Sequence, residues 1–195
     1  MNGLYIKNVN TGLKVGDKVP KQDPANPGNV GIWVEKQLKK NGLDLKSKGI
    51  DIPNLSVELK TRNIHATSAI TICRMKKDDI ISLDFKKSFV HDCLENLLVI
   101  KYDDDINEIV SIEVHNLTRI PIIYQLFDQC YTGARNSIVR EDTTECTARV
   151  NKGALAYFEF KKDSDDYQFR ISNTGLSKVE NFKKSPGLKL FEIIQ

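Results

Sequence analysis

The sequence lacks any long hydrophobic run and any strong excess of one charge. Hydrophobic residues make up 40% of its 195 residues, yet no stretch approaches the length of a membrane-spanning helix. The formal net charge of +3 argues against a nonspecific polycationic binder. It leaves open a basic face beside an acidic site, which is an arrangement compatible with nucleic acid.

Cysteine clusters are also absent. The 4 cysteines are widely spaced, and no CxxC pair or Cys/His cluster occurs, which excludes a recognisable zinc site or disulfide framework. The opening residues, MNGLYIKNVN, lack the basic start and apolar run of a secretory signal. We therefore expect a reducing, cytoplasmic setting and no membrane partner.

The order of hydrophobic patterns predicts an α/β fold in a single domain spanning residues 1–195. Residues 1–28, rich in Gly, Pro, Asn and Lys, are predicted to form an irregular arm. Val30, Val34 and Leu38 recur at helical spacing within a predicted helix over 29–41. Further elements are strands at 56–62, 66–75, 96–102 and 108–115, a helix over 120–131, and a hairpin formed by GALAYFEF and DYQFRIS. Together they predict one mixed β-sheet flanked by helices.

The segment GIDIPNLSVELKTR, residues 49–62, carries the strongest chemical signal. Pro53 and Asn54 form a turn signal between two short strand candidates. Side chains alternate across a strand, so Glu58 and Lys60 share one face while Leu59 faces the core. If 50–52 pairs with 56–62 across the turn, Asp51 reaches the same end of the sheet. Two carboxylates and one ammonium would then surround a single point.

Such a set suits phosphodiester hydrolysis. Paired carboxylates are hard oxygen ligands of the kind that Mg²⁺ prefers, and the ion makes a bound water easier to deprotonate. A lysine beside them can orient that water or stabilise charge on the phosphate. The spacing equally fits an ordinary hairpin with a surface Glu–Lys ladder. Asp84 to Lys86 and Glu159 to Lys161 also match acid-x-Lys, but neither follows an acid, a tight turn and an acid-bearing helix.

This segment resembles the core of the PD-(D/E)XK nuclease superfamily, and is most similar to restriction endonucleases and the mismatch-repair nicking endonuclease. The resemblance covers residues 29–75 as the catalytic core. It implies a restriction-endonuclease-like fold, Asp51 and Glu58 as Mg²⁺ ligands, Lys60 as the catalytic lysine and Glu35 as an auxiliary acid. One feature departs from the family pattern, because Pro53 follows the aspartate instead of preceding it.

The chain also resembles the small catalytic subunits of heterodimeric type IIS restriction enzymes. One active site cuts one strand, so the resemblance implies double-stranded DNA as substrate and either a homodimer or a larger DNA-recognition subunit as partner. Two alternatives remain open at this point. The chain could be a repair enzyme that nicks DNA, or a DNA-binding or assembly module that uses the nuclease fold only as a scaffold.

Several basic and amide side chains are candidates for DNA contact. Phosphate contacts need Lys or Arg near the cleft, whereas base reading favours Arg on guanine and Asn on adenine. Residues 128–153 are predicted to form a polar loop that contacts DNA or a partner. The candidates are Lys46, Lys48, Arg62, Arg135, Asn136, Arg140, Arg149, Asn151 and Lys152.

Overall fold

A computed structural model describes residues 12–46, 49–141, 155–161 and 164–172, together with the backbone of residues 5, 6, 9 and 10. The chain is a mixed α/β protein with two sheets of three strands each, flanked by helices. The helices are α1 (Asn29–Lys40), α2 (Lys77–Ser82), α3 (Phe89–Glu95) and α4 (Pro121–Val139). The strands are β1 (Tyr5–Ile6), β2 (Val9–Asn10), β3 (Glu58–Asn63), β4 (Ile70–Lys76), β5 (Leu97–Asp103), β6 (Glu108–His115), β7 (Ala156–Lys161) and β8 (Asp166–Ile171).

The chain divides into two compact units. The first takes its described residues from 1–66 and 96–115, and the second from 67–95 and 116–190. Within the described residues the chain passes between the units three times. No Gly/Pro-rich or low-complexity linker marks any of these three boundaries in the sequence. Among the described residues, none of the helices combines the length and apolar character needed to span a bilayer.

In the first unit the sheet has the order β3-β5-β6, with β3 parallel to β5 and β5 antiparallel to β6. The predicted helix forms as α1 and ends where Gly42 adopts a positive φ of 84°, a conformation that glycine tolerates best. Val34 and Leu38 of α1 share one hydrophobic core with Leu59 of β3 and Leu98 of β5. The apolar stripe read from the sequence therefore holds α1 in the same core as the strand that carries Glu58 and Lys60.

The described part of the N-terminal arm is irregular, as predicted, but it is anchored in the first unit. Leu13 and Val19 are buried in the same hydrophobic core. The Gly16 N–H donates to the Ile109 carbonyl at 2.8 Å, and the Ile109 N–H donates to the Asp17 carbonyl at 2.9 Å. These bonds extend the edge of β6, so the arm lies against the sheet instead of extending freely into solvent.

In the second unit an antiparallel sheet has the order β4-β8-β7. Helix α4 packs closely over β7 at Gly133, where a Cβ atom would lie 2.9 Å from the ring of Phe158. Tyr131 of α4 stacks on Phe169 of β8, with ring centroids 5.8 Å apart. The small residue and the aromatic stack together fix the helix on the sheet.

Two sequence-based expectations differ from the observed fold. The strands do not form one mixed sheet, because β4 pairs with the β7–β8 hairpin and β3 pairs with β5. The helix that begins at Pro121 continues to Val139, so the first part of the predicted 128–153 loop is helical. Buried Tyr131, Ala134 and Ser137 continue the helical spacing among polar neighbours. The rest of that predicted loop, 142–153, lies outside the described residues.

The core packing of α1 gives a direct stability test. Leu38 is 0% exposed, so Leu38→Ala should lower the free energy of unfolding by about 2–5 kcal/mol through lost burial and the cavity left behind. Ile32 on the same helix is 45% exposed, so Ile32→Ala should change the free energy of unfolding by less than about 0.5 kcal/mol. Urea denaturation of both variants measures the difference. Equal losses would contradict the placement of α1.

Candidate active site

A short hairpin brings Asp51 to the start of β3. Ile52 and Val57 exchange backbone hydrogen bonds of 2.9 and 3.2 Å around a 3₁₀ turn at Pro53–Leu55. Ser56 closes the turn in the left-handed conformation with φ 52°. The Leu59 N–H then donates to Oδ2 of Asp51 at 2.9 Å, which fixes this carboxylate beside the backbone between Glu58 and Lys60. Of the predicted pairing of 50–52 with 56–62, the structure shows one bridge, between Ile52 and Val57 just before β3.

Glu58 is a buried acid with one cation partner. Its residue is 5% exposed, and the Lys60 ammonium donates to Oε1 in an ion pair. Oε2 is buried and has no hydrogen-bond partner among the described residues. Leaving a buried polar atom unsatisfied costs about 1–3 kcal/mol, and more when the group is charged. A buried atom of this kind in a native fold calls for an explanation, such as a catalytic role, local strain, or a bound water or ion.

Burial raises the pKa of Glu58 above its ordinary value. The charge and hydrogen bond of Lys60 oppose this shift, while the nearby negative charge of Asp51 adds to it. The two acids are thus close enough to repel each other, and one lysine does not fully compensate for the burial. A carboxylate in this state gains from any additional cation that reaches its second oxygen.

The other acid-x-Lys matches lack this character. Both oxygens of Glu159 are paired, Oε1 with Lys161 at 2.7 Å and Oε2 with Arg170 at 2.9 Å. Burial acts to raise the pKa of Glu159, but these two cations outweigh it and the pKa lies below its ordinary value. Asp84 and Lys86 are both exposed. The structure therefore separates a closed structural ion pair at Glu159 from an incompletely satisfied acid at Glu58.

The residues present fit a divalent cation. Asp51 and Glu58 offer carboxylate oxygens whose negative charges interact, and Glu58 Oε2 is buried without a hydrogen-bond partner among the described residues. Oxygen donors of this kind match the preference of Mg²⁺, which keeps several waters and needs only one or two protein carboxylates. Asp51 and Glu58 are the residues that could hold such an ion.

Glu35 is not linked to Lys60 by a contact in the described part of the chain. It is exposed on α1. One turn earlier, Gly31 approaches β3 closely, because a Cβ atom there would lie 3.2 Å from the Thr61 hydroxyl. The auxiliary role of Glu35 stays a prediction.

The candidate DNA-contacting residues are distributed over both units. Lys46 is exposed, and its backbone N–H donates to the Asp51 carbonyl at 3.0 Å. The Arg62 guanidinium donates to the Ala66 carbonyl at 2.6 Å. In the second unit, Arg135 donates to the Ile81 carbonyl at 2.9 Å, whereas Asn136 and Arg140 are exposed on or just after α4. Lys48, Arg149, Asn151 and Lys152 lie outside the described residues.

The strand register places further polar residues, which the sequence motif does not include, on the same sheet face as the site. Across β3, β5 and β6, Glu58 aligns with Leu97 and His115, and Lys60 aligns with Val99 and Glu113. Alternation then puts these six side chains on one face of the sheet. Only the pairing of distant segments could have linked Glu113 and His115 to the motif, and no local pattern encodes that pairing.

A second polar cluster lies at the opposite end of β3. Ligand atoms of His65, Asp103 and Asp104 lie within 4.8 Å of one another, and His65 Nε2 is 3.2 Å from Asp103 Oδ1. His65 follows β3 and Asp103 ends β5, whereas Glu58 begins β3. The acidic turn at 103–105 was visible in the sequence, but its meeting with His65 depends on the parallel pairing of β3 with β5.

No protein-family model matches this sequence, and a search of curated proteins also finds no match.

The contrast between Glu58 and Glu159 predicts opposite pH effects. Burial raises the pKa of Glu58 above its ordinary value of 4.5. The contribution of Glu58 to the free energy of unfolding is therefore lost as the pH rises from 4.5 through the pKa of the folded state. Glu58→Gln removes that penalty and should raise the free energy of unfolding at pH 7, with the gain disappearing towards pH 4.5. Urea denaturation over pH 4–8 measures the effect.

Glu159→Gln is the matched control, and its effect on the free energy of unfolding at pH 7 should have the opposite sign. The lowered pKa of Glu159 means that its charged form stabilises the fold at neutral pH, and that this contribution is lost on acidification. The variant should therefore be less stable than the wild type at pH 7. A Glu58→Gln protein that is destabilised at pH 7, with the same pH profile as Glu159→Gln, would contradict the assignment.

Proposed function

We propose that this chain is a Mg²⁺-dependent DNA endonuclease with a restriction-endonuclease-like fold and one active site formed by Asp51, Glu58 and Lys60. The observation that carries the proposal is the buried Oε2 of Glu58, which has no hydrogen-bond partner among the described residues and lies beside a second carboxylate and an ammonium. Structural ion pairs satisfy their oxygens, as Glu159 does. A carboxylate whose negative charge is only partly neutralised by the protein is suited to bind a cation that arrives with the substrate.

Each side chain has a distinct role in the proposed reaction. Asp51, held by the Leu59 N–H, and Glu58, held by Lys60, would bind the ion through their carboxylate oxygens. When bound, Mg²⁺ polarises a phosphate oxygen and lowers the pKa of water near the phosphorus.

Lys60 is the group that meets the reacting phosphate. Its side chain is 21% exposed, so the ammonium can contact both Glu58 and a substrate arriving from solvent. There it stabilises the negative charge that develops on the phosphate oxygens and orients the attacking water. Leu59, between the two polar residues, is buried in the hydrophobic core and anchors the strand that carries them.

The biological setting proposed is type II restriction in the cytoplasm. One site per chain cuts one strand, so cleavage of both strands of a duplex needs a homodimer or a larger DNA-recognition subunit. Cleavage by the isolated chain favours the homodimer or a nicking enzyme. Cleavage that begins only when a partner is added favours the role of a small catalytic subunit.

The proposed roles predict a specific loss of activity. Lys60→Ala and Glu58→Gln should each lower the rate of Mg²⁺-dependent plasmid cleavage at least about a hundredfold, because Lys60 acts on the reacting phosphate and Glu58 binds the metal ion. Chelation of the metal should abolish cleavage by the wild type. Conversion of supercoiled plasmid to nicked and linear forms measures the rate.

Lys161→Ala is the control for this experiment, since Lys161 belongs to the closed ion pair with Glu159. It should leave the cleavage rate within about twofold of the wild type. Full-rate cleavage by the Lys60→Ala protein would remove Lys60 from the active site. Duplex binding without any cleavage, with or without a partner subunit, would favour a non-catalytic DNA-binding module.

A further inference from the structure

The second unit contains a cavity that the candidate active site does not use. It has a volume of about 350 Å³ and lies between the 3₁₀ turn at Phe85–Lys87 and helix α4. Pockets that bind small molecules usually measure about 300–1,000 Å³, so the size is sufficient for a small ligand. The polar residues that line the cavity are Asp84, Lys86, Lys87, Asp128, Thr132 and Arg135.

The apolar wall of this cavity is a fixed contact between the turn and the helix. The rings of Phe85 and Tyr131 pack with their centroids 5.8 Å apart, and the Tyr131 hydroxyl donates to the Leu83 carbonyl at 3.2 Å. At the end of the turn, the buried Ser88 hydroxyl donates to the Phe85 carbonyl at 2.7 Å. The backbone that carries the two lysines is therefore held in place before a ligand binds, which lowers the entropy cost of binding.

Lys86 and Lys87 bring two positive charges to this cavity that the described fold does not neutralise. Both residues are exposed, and in the described part of the chain neither ammonium forms an ion pair or a hydrogen bond. Lys161 in the same unit differs, because its ammonium is 2.7 Å from the Glu159 carboxylate. Neighbouring like charges repel each other, and an anion bound between them removes this repulsion.

The other charged residues of the cavity do not cancel the two lysines. Arg135 and Asp84 balance each other, with 3.5 Å between the guanidinium and the carboxylate, and Arg135 also donates to the Ile81 carbonyl at 2.9 Å. Asp128 is exposed on α4 and is the remaining acid among the lining residues. Two ammonium groups thus face one carboxylate, so the cavity has a net positive charge.

We propose that Lys86 and Lys87 form a binding site for a phosphate group in the second unit. An ammonium has three N–H donors, so both lysines can hold oxygens of the same phosphate, and the Thr132 hydroxyl is a further donor on the α4 side. A phosphate monoester carries about −1.5 to −2 charges at neutral pH, which outweighs the opposing charge of Asp128. The volume of the cavity favours a small phosphorylated molecule over the backbone of a nucleic acid.

The test titrates the full chain with inorganic phosphate and with adenosine 5′-monophosphate, at low salt and without divalent cations. Amide NMR shifts measure the dissociation constants, and the signals that move should include those of residues 84–88 and 128–135. The double variant Lys86→Gln with Lys87→Gln should bind phosphate at least about tenfold more weakly, because it loses two charge-assisted hydrogen bonds. Lys86→Arg with Lys87→Arg keeps both charges and should stay within about threefold of the wild type.

The matched control is Lys39→Gln with Lys40→Gln. These two lysines are also consecutive and exposed, but they lie at the end of α1 in the first unit. The control changes the net charge by the same amount and should leave the affinity for phosphate within about twofold of the wild type. An equal loss of affinity in both double variants would assign the effect to net charge and overturn the site.

Asp128→Asn has the opposite expected sign. It removes the opposing carboxylate while keeping the shape of an exposed side chain, so it should tighten phosphate binding severalfold with little effect on thermal unfolding. This variant decides the matter even when the double lysine variant fails to fold. Unchanged or weaker phosphate binding by Asp128→Asn would overturn the proposal.

A 20-base-pair duplex, tested under the same conditions, distinguishes the source of the phosphate. Loss of phosphate and nucleotide binding in Lys86→Gln with Lys87→Gln, with unchanged duplex binding, assigns the site to a small molecule. Loss of duplex binding in a chain that binds neither small probe assigns the phosphate group to the DNA backbone. A wild-type chain that binds none of the three probes, or a double lysine variant that binds all three as the wild type does, would contradict the phosphate site.

Discussion

The burial of the Glu58 carboxylate beside a second acid is the constraint on which the candidate site depends. The fold removes this group from water, supplies one ammonium from Lys60 and places Asp51 close enough to add repulsion. In an ordinary ion pair the partners are chosen so that every oxygen is satisfied, as they are around Glu159. The unfavourable electrostatics at Glu58 have a physical explanation if a further positive charge completes the site when substrate binds.

Two structural devices hold this unfavourable group in position. The tight turn and the hydrogen bond from the Leu59 N–H fix the Asp51 carboxylate to the backbone of the residue that follows Glu58. The parallel pairing of β3 with β5 then sets Glu58 beside buried Leu97 and Leu59 beside buried Leu98, so the strand that carries the acid is packed into the sheet. The stability of the hydrophobic core thus offsets the cost of burying this group.

Local chemistry explains what could be predicted from the sequence. Periodicity and turn signals within a few residues predict the α/β class, helix α1, strands β5 and β6, and the hairpin of Asp51 with β3. The division into two sheets and the parallel β3–β5 pairing could not be predicted, because they join segments far apart in the chain. The register that aligns Glu113 with Lys60 has the same origin. Helix α4 was predicted too short because its later buried positions are small or polar, including Ala134 and Ser137.

The threefold passage of the chain between the two units limits how the protein can be divided. Strand β3 precedes the inserted segment 67–95, whereas β5 and β6 follow it. No contiguous fragment therefore contains one unit without part of the other, and deletion analysis cannot assign functions to them separately. A proteolytic nick within 67–95 would leave the motif strand and its parallel neighbour on different polypeptides, held together by strand hydrogen bonds and by the hydrophobic core that they share.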